Sequence, residues 1–217
     1  MAVPATGRPR LWIVAGPNGS GKSTAYGNGD VAGLDGSVWI INPDLLTARL
    51  RDAEAMAGDN ANLVAVKRIE AWLDASIDVH QTIGVETVLS TGKYRPLVEK
   101  AKARDFEICL VYIFLRSAEL QIERIKARVA KGGHQVPDDK VRSRRTRAFE
   151  QLPWFFWQAD RAWIFDNSES EPKLVAHKEV VQSARGAQSI EGLLNERALP
   201  EEIAKDLKQI LEGAKPA

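Results

Sequence analysis

Short apolar runs alternate along the chain with longer amphipathic stretches. The runs predict strands at Leu11–Ala15, Val38–Ile41, Gly84–Leu89, Glu107–Leu115 and Ala162–Asp166. They are apolar at nearly every position rather than at alternate ones, the pattern of strands covered on both faces. Between them a helical period predicts helices from Lys22 onward and at Pro43–Ala57, Leu63–Gln81, Tyr94–Arg104, Ala118–Lys131 and Asp138–Gln151. Four glycines within Gly27–Gly36 predict a loop there. Lys173–Val181 alternates weakly and predicts an edge strand. Pro200–Glu212 sets Ile203, Leu207, Ile210 and Leu211 at helical spacing and predicts a closing helix. Strand–helix alternation of this kind implies an α/β three-layer sandwich around a mostly parallel, five-stranded sheet. No internal repeat is visible, and the strongest break, at Asn167–Pro172, is only a turn, so residues 1–217 read as a single domain.

Composition narrows the class without naming a function. Of 217 residues, 44% are hydrophobic and 27% charged, which is globular usage and excludes fibrous and low-complexity chains. The single cysteine, Cys109, cannot form an intramolecular disulfide, so a reducing compartment is expected. Thirty basic residues against 29 acidic ones point to no polyanionic partner. The first apolar run, Leu11–Ala15, has five residues, short of the roughly 7–15 of a secretory core and the roughly 20 of a membrane span. A cytoplasmic protein with no membrane contact is the expectation.

The first strand runs directly into Gly16, Pro17, Asn18, Gly19, Ser20, Gly21, Lys22, Ser23 and Thr24. This is G-x-x-x-x-G-K-[ST] in the context the motif requires, after a strand and before a helix. Glycines there let backbone N–H groups approach phosphate oxygens, and the helix adds the positive end of its dipole. Lys22 is expected at the β- and γ-phosphates and the Ser23 hydroxyl at Mg²⁺, with ATP or GTP as the nucleotide.

A nucleoside triphosphate leaves motor, switch and kinase open. The second strand ends in Asn42-Pro43-Asp44: a cap, a first-turn proline and an acid in the first turn. In a small P-loop kinase that strand end faces the γ-phosphate, which makes Asp44 a candidate base for an acceptor hydroxyl; a helix-capping acid is the bland alternative. Glu86 interrupts an otherwise apolar strand, which is costly unless it is paired or placed at the ligand edge of the sheet. Thr87, Ser90 and Thr91 beside it suit hydrogen bonding to a sugar or to metal-bound water. An edge carboxylate satisfied by an arginine is the competing account.

Arg116 to Arg147 holds ten Lys/Arg against four Asp/Glu in an otherwise balanced chain. Helix, glycine break (Gly132-Gly133-His134) and arginine-rich helix read together as a lid over about 116–150. Its arginines would neutralise charge on a transferred phosphoryl group. A solvated basic face or a nucleic-acid patch are the alternatives, and the missing aromatic interleaving argues against nucleic acid. Trp154-Phe155-Phe156-Trp157 with Trp163 reads as one core cluster. By fold analogy Asp166-Asn167-Ser168 would hold an adenine, and His80, His177 and Cys109 read as structural. Leu89-Ser90-Thr91-Gly92-Lys93 loosely resembles the LSGGQ signature of ABC-type ATPase modules. The strand that should then end in an acidic pair ends instead in Arg116. An ABC-like module and a nucleic-acid end kinase stand as the alternatives to a small-molecule kinase.

GPNGSGKST at 16–24, INPD at 41–44, ETVLST at 86–91, RVAKGGHQVP at 128–137 and RSRRTRAFEQL at 142–152 together resemble the zeta-toxin family of P-loop kinases. The resemblance spans about residues 10–178 and looks closest to the family's compact, stand-alone branch. It implies phosphorylation of a sugar hydroxyl of UDP-N-acetylglucosamine by ATP or GTP, and, for a toxin, a small antitoxin partner over the cleft. By the same resemblance Lys22 is the P-loop lysine, Asp44 the base and Glu86 a substrate-contacting carboxylate. Arg128 and Arg144 match the two phosphate-stabilising lid arginines, with Arg124 and Arg147 as the other candidates. The better-known toxins have glycine and threonine where this chain has Thr87-Val88, and longer C-terminal elements.

Overall fold

A computed structural model describes residues 7–23, 38–53, 58–133, 135–182 and 188–213. The predicted Gly27–Gly36 loop, Thr24 and His134 lie outside the described residues. Strands are β1 (Arg10–Ala15), β2 (Ile40–Ile41), β3 (Ile83–Thr87), β4 (Glu107–Phe114), β5 (Arg161–Asp166), β6 (Lys173–Gln182) and β7 (Gln188–Leu194). Helices are α1 (Pro43–Ala53), α2 (Gly58–Asp78), α3 (Arg95–Ala103), α4 (Ala118–Val129), α5 (Asp138–Gln158) and α6 (Glu201–Leu211).

One sheet carries all seven strands in the order β2-β3-β1-β4-β5-β6-β7. The five predicted strands are its parallel part, and β6 and β7 extend it antiparallel. The expected five-stranded sheet is therefore seven-stranded, and Lys173–Val181 is not an edge. It is flanked on its outer side by β7, whose segment QSIEGLL is exposed at four of the five residues from Ser189 to Leu193. A strand that buries so little carries almost no hydrophobic pattern, which is why it escapes a reading of the sequence.

Both faces of the parallel part are apolar. On one, β1, β3 and β4 meet Ile69, Leu73 and Ile77 of α2, Val98 of α3, Leu152, Phe155 and Phe156 of α5, and Ile203, Leu207 and Ile210 of α6. On the other lie Trp12, Val14, Cys109, Val111, Ile113, Trp163 and Phe165. Each such buried side chain contributes about 1.5–3 kcal/mol. The predicted aromatic cluster is thus split. Helix α5 continues through Pro153 to Gln158, so Phe155 and Phe156 face the helix-covered core. Trp163 stacks on Trp12 across the sheet, centroids 5.8 Å apart.

Helices α4 and α5 form their own small core from Ile122, Ile125, Val136 and Val141. Ser117 caps α4 by accepting the Leu120 N–H, and Glu119 pairs with Arg142 across the two helices. This unit stands where the sequence predicts a lid. Among the described residues no helix is long and apolar enough to cross a membrane.

Candidate functional site

Parallel pairing with β3 and β4 delivers β1 to the carboxyl edge of the sheet, where open α/β sheets bind ligands. The chain leaves that edge at Gly16, whose N–H donates to the Thr87 carbonyl at 3.2 Å. Gly16, Gly19 and Gly21 all have positive φ. Gly16 has no room for a side chain: a Cβ there would lie 2.0 Å from the Ile113 carbonyl oxygen. The loop curls tightly enough for Ser20 N–H to reach Pro17 O, and a helical turn opens at Lys22. The Lys22 ammonium folds over the loop, donating to Gly16 O at 2.8 Å and Pro17 O at 3.2 Å.

Glu86 stands at the tip of β3 beside this cradle. Its Oε2 accepts from Ser23 Oγ at 3.0 Å and from Asn42 Nδ2 at 2.9 Å. Asn42 has a second task, since its Oδ1 accepts the Leu45 N–H and so caps α1. Pro43 follows in the first helical position and Asp44 comes next. The side chain of Asp44 lies outside the described residues, whereas Asn42 and Pro43 line the cavity described next.

A cavity of about 360 Å³ opens between the cradle, β3 and the α4–α5 unit. Asn18, Gly19 and Lys22 form its floor, Glu86, Thr87 and Ser90 one wall, and Arg128 of α4 and Arg144 of α5 its cover. Arg144 Nη1 also reaches Asn18 Oδ1, at 3.5 Å. A second lobe of about 420 Å³ shares Asn18, Pro43, Arg128 and Arg144 and is also lined by Thr47, Gln135 and Lys140. A third, of about 240 Å³, is bounded by Gly21, Lys22, Ser23, Glu86, Arg124 and Arg128. Lys22, Ser23, Glu86, Thr87, Ser90, Arg124, Arg128 and Arg144 are therefore brought together. Arg147 is exposed on α5 and lines none of the three lobes, and Thr91 is exposed outside them.

Several contributors carry no sequence signal. Lys93 and Tyr94 line the 360 Å³ cavity from the turn after β3, a turn created by Leu89 in the left-handed region (φ 60°) and stabilised by its N–H donating to Thr87 Oγ1. Burial, with Glu70 nearby, pushes the Tyr94 phenol up to about 12, so it stays protonated. Asp166 and Asn167 are committed internally. Asp166 pairs with Arg116 at 2.7 Å, and Asn167 Nδ2 donates to Ser20 O at 2.8 Å.

The donor set suits two ligands that the sequence implies. A glycine-rich loop with positive φ at Gly16, Gly19 and Gly21 and a lysine at its end suits a triphosphate. A serine hydroxyl beside a carboxylate supplies the hard oxygens that Mg²⁺ prefers. Among the described residues no group of three or more His, Cys, Asp or Glu could hold a metal alone, so phosphate oxygens would have to complete the shell.

A family model described as an AAA domain matches residues 11–152. An uncharacterised protein of Haemophilus influenzae (strain ATCC 51907 / DSM 11121 / KW20 / Rd) is 28% identical over 145 residues, 63% of this chain and 98% of its own length. Among solved structures, the AvrRxo1-ORF1:-ORF2 complex with ATP superposes with a TM-score of 0.62 at 18% identity, covering 97% of this chain and 78% of that one. The PezAT chromosomal toxin–antitoxin system of Streptococcus pneumoniae gives 0.54 at 12% identity, covering 97% and 80%. A chain of the Pnkp1/Rnl/Hen1 RNA repair complex gives 0.52 at 18%, covering 70% and 48%. At these identities the likeness is one of fold: a P-loop kinase-like α/β domain.

Proposed function

We propose that this chain, which belongs to the AAA domain family and has a P-loop kinase-like fold, transfers the γ-phosphoryl group of ATP or GTP to a hydroxyl of a small sugar-type substrate, a UDP-amino sugar such as UDP-N-acetylglucosamine. One observation carries the reading. The phosphate cradle, Glu86, the first turn of α1 and arginines from both lid helices border one cavity, and Ser23, hydrogen-bonded to Glu86, lines a neighbouring one that shares Gly19, Lys22, Glu86 and Arg128 with it.

Amides of the loop from Asn18 to Ser23 hold the triphosphate, and Lys22 leaves its carbonyl partners for the β- and γ-phosphates. Ser23 and Glu86 would hold Mg²⁺, which when bound would offset the negative charge of the triphosphate. Thr87 and Ser90 hydrogen-bond the acceptor, and Asp44, one residue beyond the cavity-lining Pro43, takes its proton. The acceptor oxygen then bonds to the γ-phosphorus, the bond from that phosphorus to the β–γ bridging oxygen breaks, and nucleoside diphosphate leaves. Arg128 and Arg144 stabilise charge on the phosphoryl group in flight, and α4 with α5 excludes water. The same reading makes this a toxin-like kinase of the cytoplasm with a small antitoxin partner over the cleft, in keeping with its resemblance to a toxin–antitoxin structure.

The test is label transfer from γ-labelled ATP to a panel of nucleotide sugars, free sugars and oligonucleotides. Label on a nucleotide sugar is expected, with Asp44→Asn binding ATP normally but transferring nothing. Label on oligonucleotides alone, or full transfer by Asp44→Asn, would overturn the assignment.

A further inference from the structure

The turn after β5 reaches the phosphate cradle through a hydrogen bond. Asn167 Nδ2 donates to the Ser20 carbonyl at 2.8 Å, across 147 residues of sequence. The amide lies hard against the loop, since a Cβ added to Gly21 would sit 2.4 Å from that nitrogen. Only a residue without a side chain, tolerant of φ 90°, permits this approach.

The contact has a directional consequence. A trans peptide is planar, with its C=O and N–H pointing opposite ways. Ser20 O and Gly21 N–H belong to the same plane. Drawing Ser20 O toward Asn167 therefore aims Gly21 N–H away from Asn167, and Gly21 itself lines the smaller lobe with Lys22 and Ser23. A nest that points its amides at an anion must point its carbonyls outward, and each of those needs a donor. In the ligand-free chain Lys22 serves Gly16 O and Pro17 O, while Asn167 serves Ser20 O and stays in place when Lys22 turns to the phosphates.

Asn167 is itself held. Its N–H donates to Phe114 O at 2.9 Å, the last residue of β4. Its neighbour Asp166, 2% exposed, binds the Arg116 guanidinium and accepts the Ser168 N–H, while Ser168 Oγ accepts the Arg116 N–H at 2.8 Å. The ends of β4 and β5 thus form a fixed post, with the side chain of Asn167 as its arm.

We propose that Asn167 is a positioning residue for nucleotide binding, which holds the Ser20–Gly21 peptide in its anion-binding orientation from outside the cradle. The proposal rests on the nucleotide reading of the cradle given above. The loop amide hydrogens report on the brace without that reading.

Two variants separate donor from bulk. Asn167→Ala removes the amide, and Asn167→Asp keeps its shape while setting a carboxylate oxygen against Ser20 O. Amide hydrogen exchange in the ligand-free chain should quicken at residues 18–22 in both, by about tenfold. The calorimetric Kd for ATP with Mg²⁺ should rise about tenfold for Asn167→Ala and further for Asn167→Asp. The thermal midpoint without nucleotide should stay close to wild type. Unchanged loop exchange in both variants overturns the brace. Equal loss of midpoint and affinity, with exchange quickened across the whole sheet, also overturns it by making Asn167 a general structural residue. If the wild-type chain binds no ATP, the nucleotide role falls with the reading of the cradle, while quickened loop exchange would still mark the contact itself.

Discussion

Replacing Gly16 by alanine tests whether backbone geometry, rather than the identity of the lysine, makes the cradle. The new Cβ would lie 2.0 Å from Ile113 O, 3.0 Å from Ile113 C and 3.1 Å from Ser20 Oγ. Ordinary contact begins at 3.4 Å, so the first gap must open by 1.4 Å. Ile113 O belongs to a central strand paired on both sides and cannot yield, so the loop moves. A hydrogen bond of about 2.9 Å stretched by about 1 Å is no longer one. Losing two of the amide–phosphate bonds, at about 1.5–3 kcal/mol each for a charged acceptor, removes about 3–6 kcal/mol, or roughly 10²–10⁴ in affinity. The control is Gly132→Ala, where φ is 87° but nothing lies within 4 Å of the added carbon. That variant carries only left-handed strain, about 1–2 kcal/mol of stability, and should bind nucleotide as wild type does. Calorimetric titration with ATP and Mg²⁺, on variants whose circular dichroism matches wild type, makes the measurement. A folded Gly16→Ala protein binding within threefold of wild type would refute the reasoning, as would equal losses in both variants.

Arg128→Ala and Arg144→Ala should each lower phosphoryl transfer by about 10²–10³, whereas Arg147→Ala, outside every lobe, should leave it within twofold; initial rates of label transfer check this. Lys178 gives a pH test. Its ammonium, fully buried on β6, donates to Phe156 O, Trp157 O and Ala159 O at the end of α5, and burial pushes its pKa down to about 7. Between pH 7 and the unfolded value near 10.4 the unfolded chain binds more protons, so the stability of wild type relative to Lys178→Met should rise with pH. The slope should approach about 1.4 kcal/mol per unit. Denaturant unfolding at pH 6, 7.5 and 9 reads it, and a flat or falling difference contradicts the assignment.

The limits of legibility are specific. Asn42 reads as a helix cap, and it is one, yet the same side chain also serves Glu86, because its amide has a donor end left over once the oxygen has capped α1. Glu86 reads as an anomaly in an apolar strand. Its partner Ser23 is 63 residues away and becomes adjacent only through the pairing of β1 with β3. By sequence alone Arg124, Arg128, Arg144 and Arg147 are all candidates for charge stabilisation, and only the resemblance favours Arg128 and Arg144. Helical phase, with the hairpin of α4 on α5, turns Arg128 and Arg144 to the cavity and leaves Arg147 outside.

Local physics is written in the chain itself. Apolar runs fix the parallel strands, glycines at 16, 19 and 21 fix the curl, and Asn42-Pro43 fixes where α1 begins. These depend on neighbours within a few residues, so sequence suffices. The tertiary fold decided which distant groups meet: Ser23 with Glu86, Asn167 with Ser20, and arginines of two helices over one cavity. It also added β7, a strand held by backbone pairing to β6 rather than by burial of its own side chains. Pairings between such separated positions are set by sheet order and helix phase, which no local pattern of residues encodes.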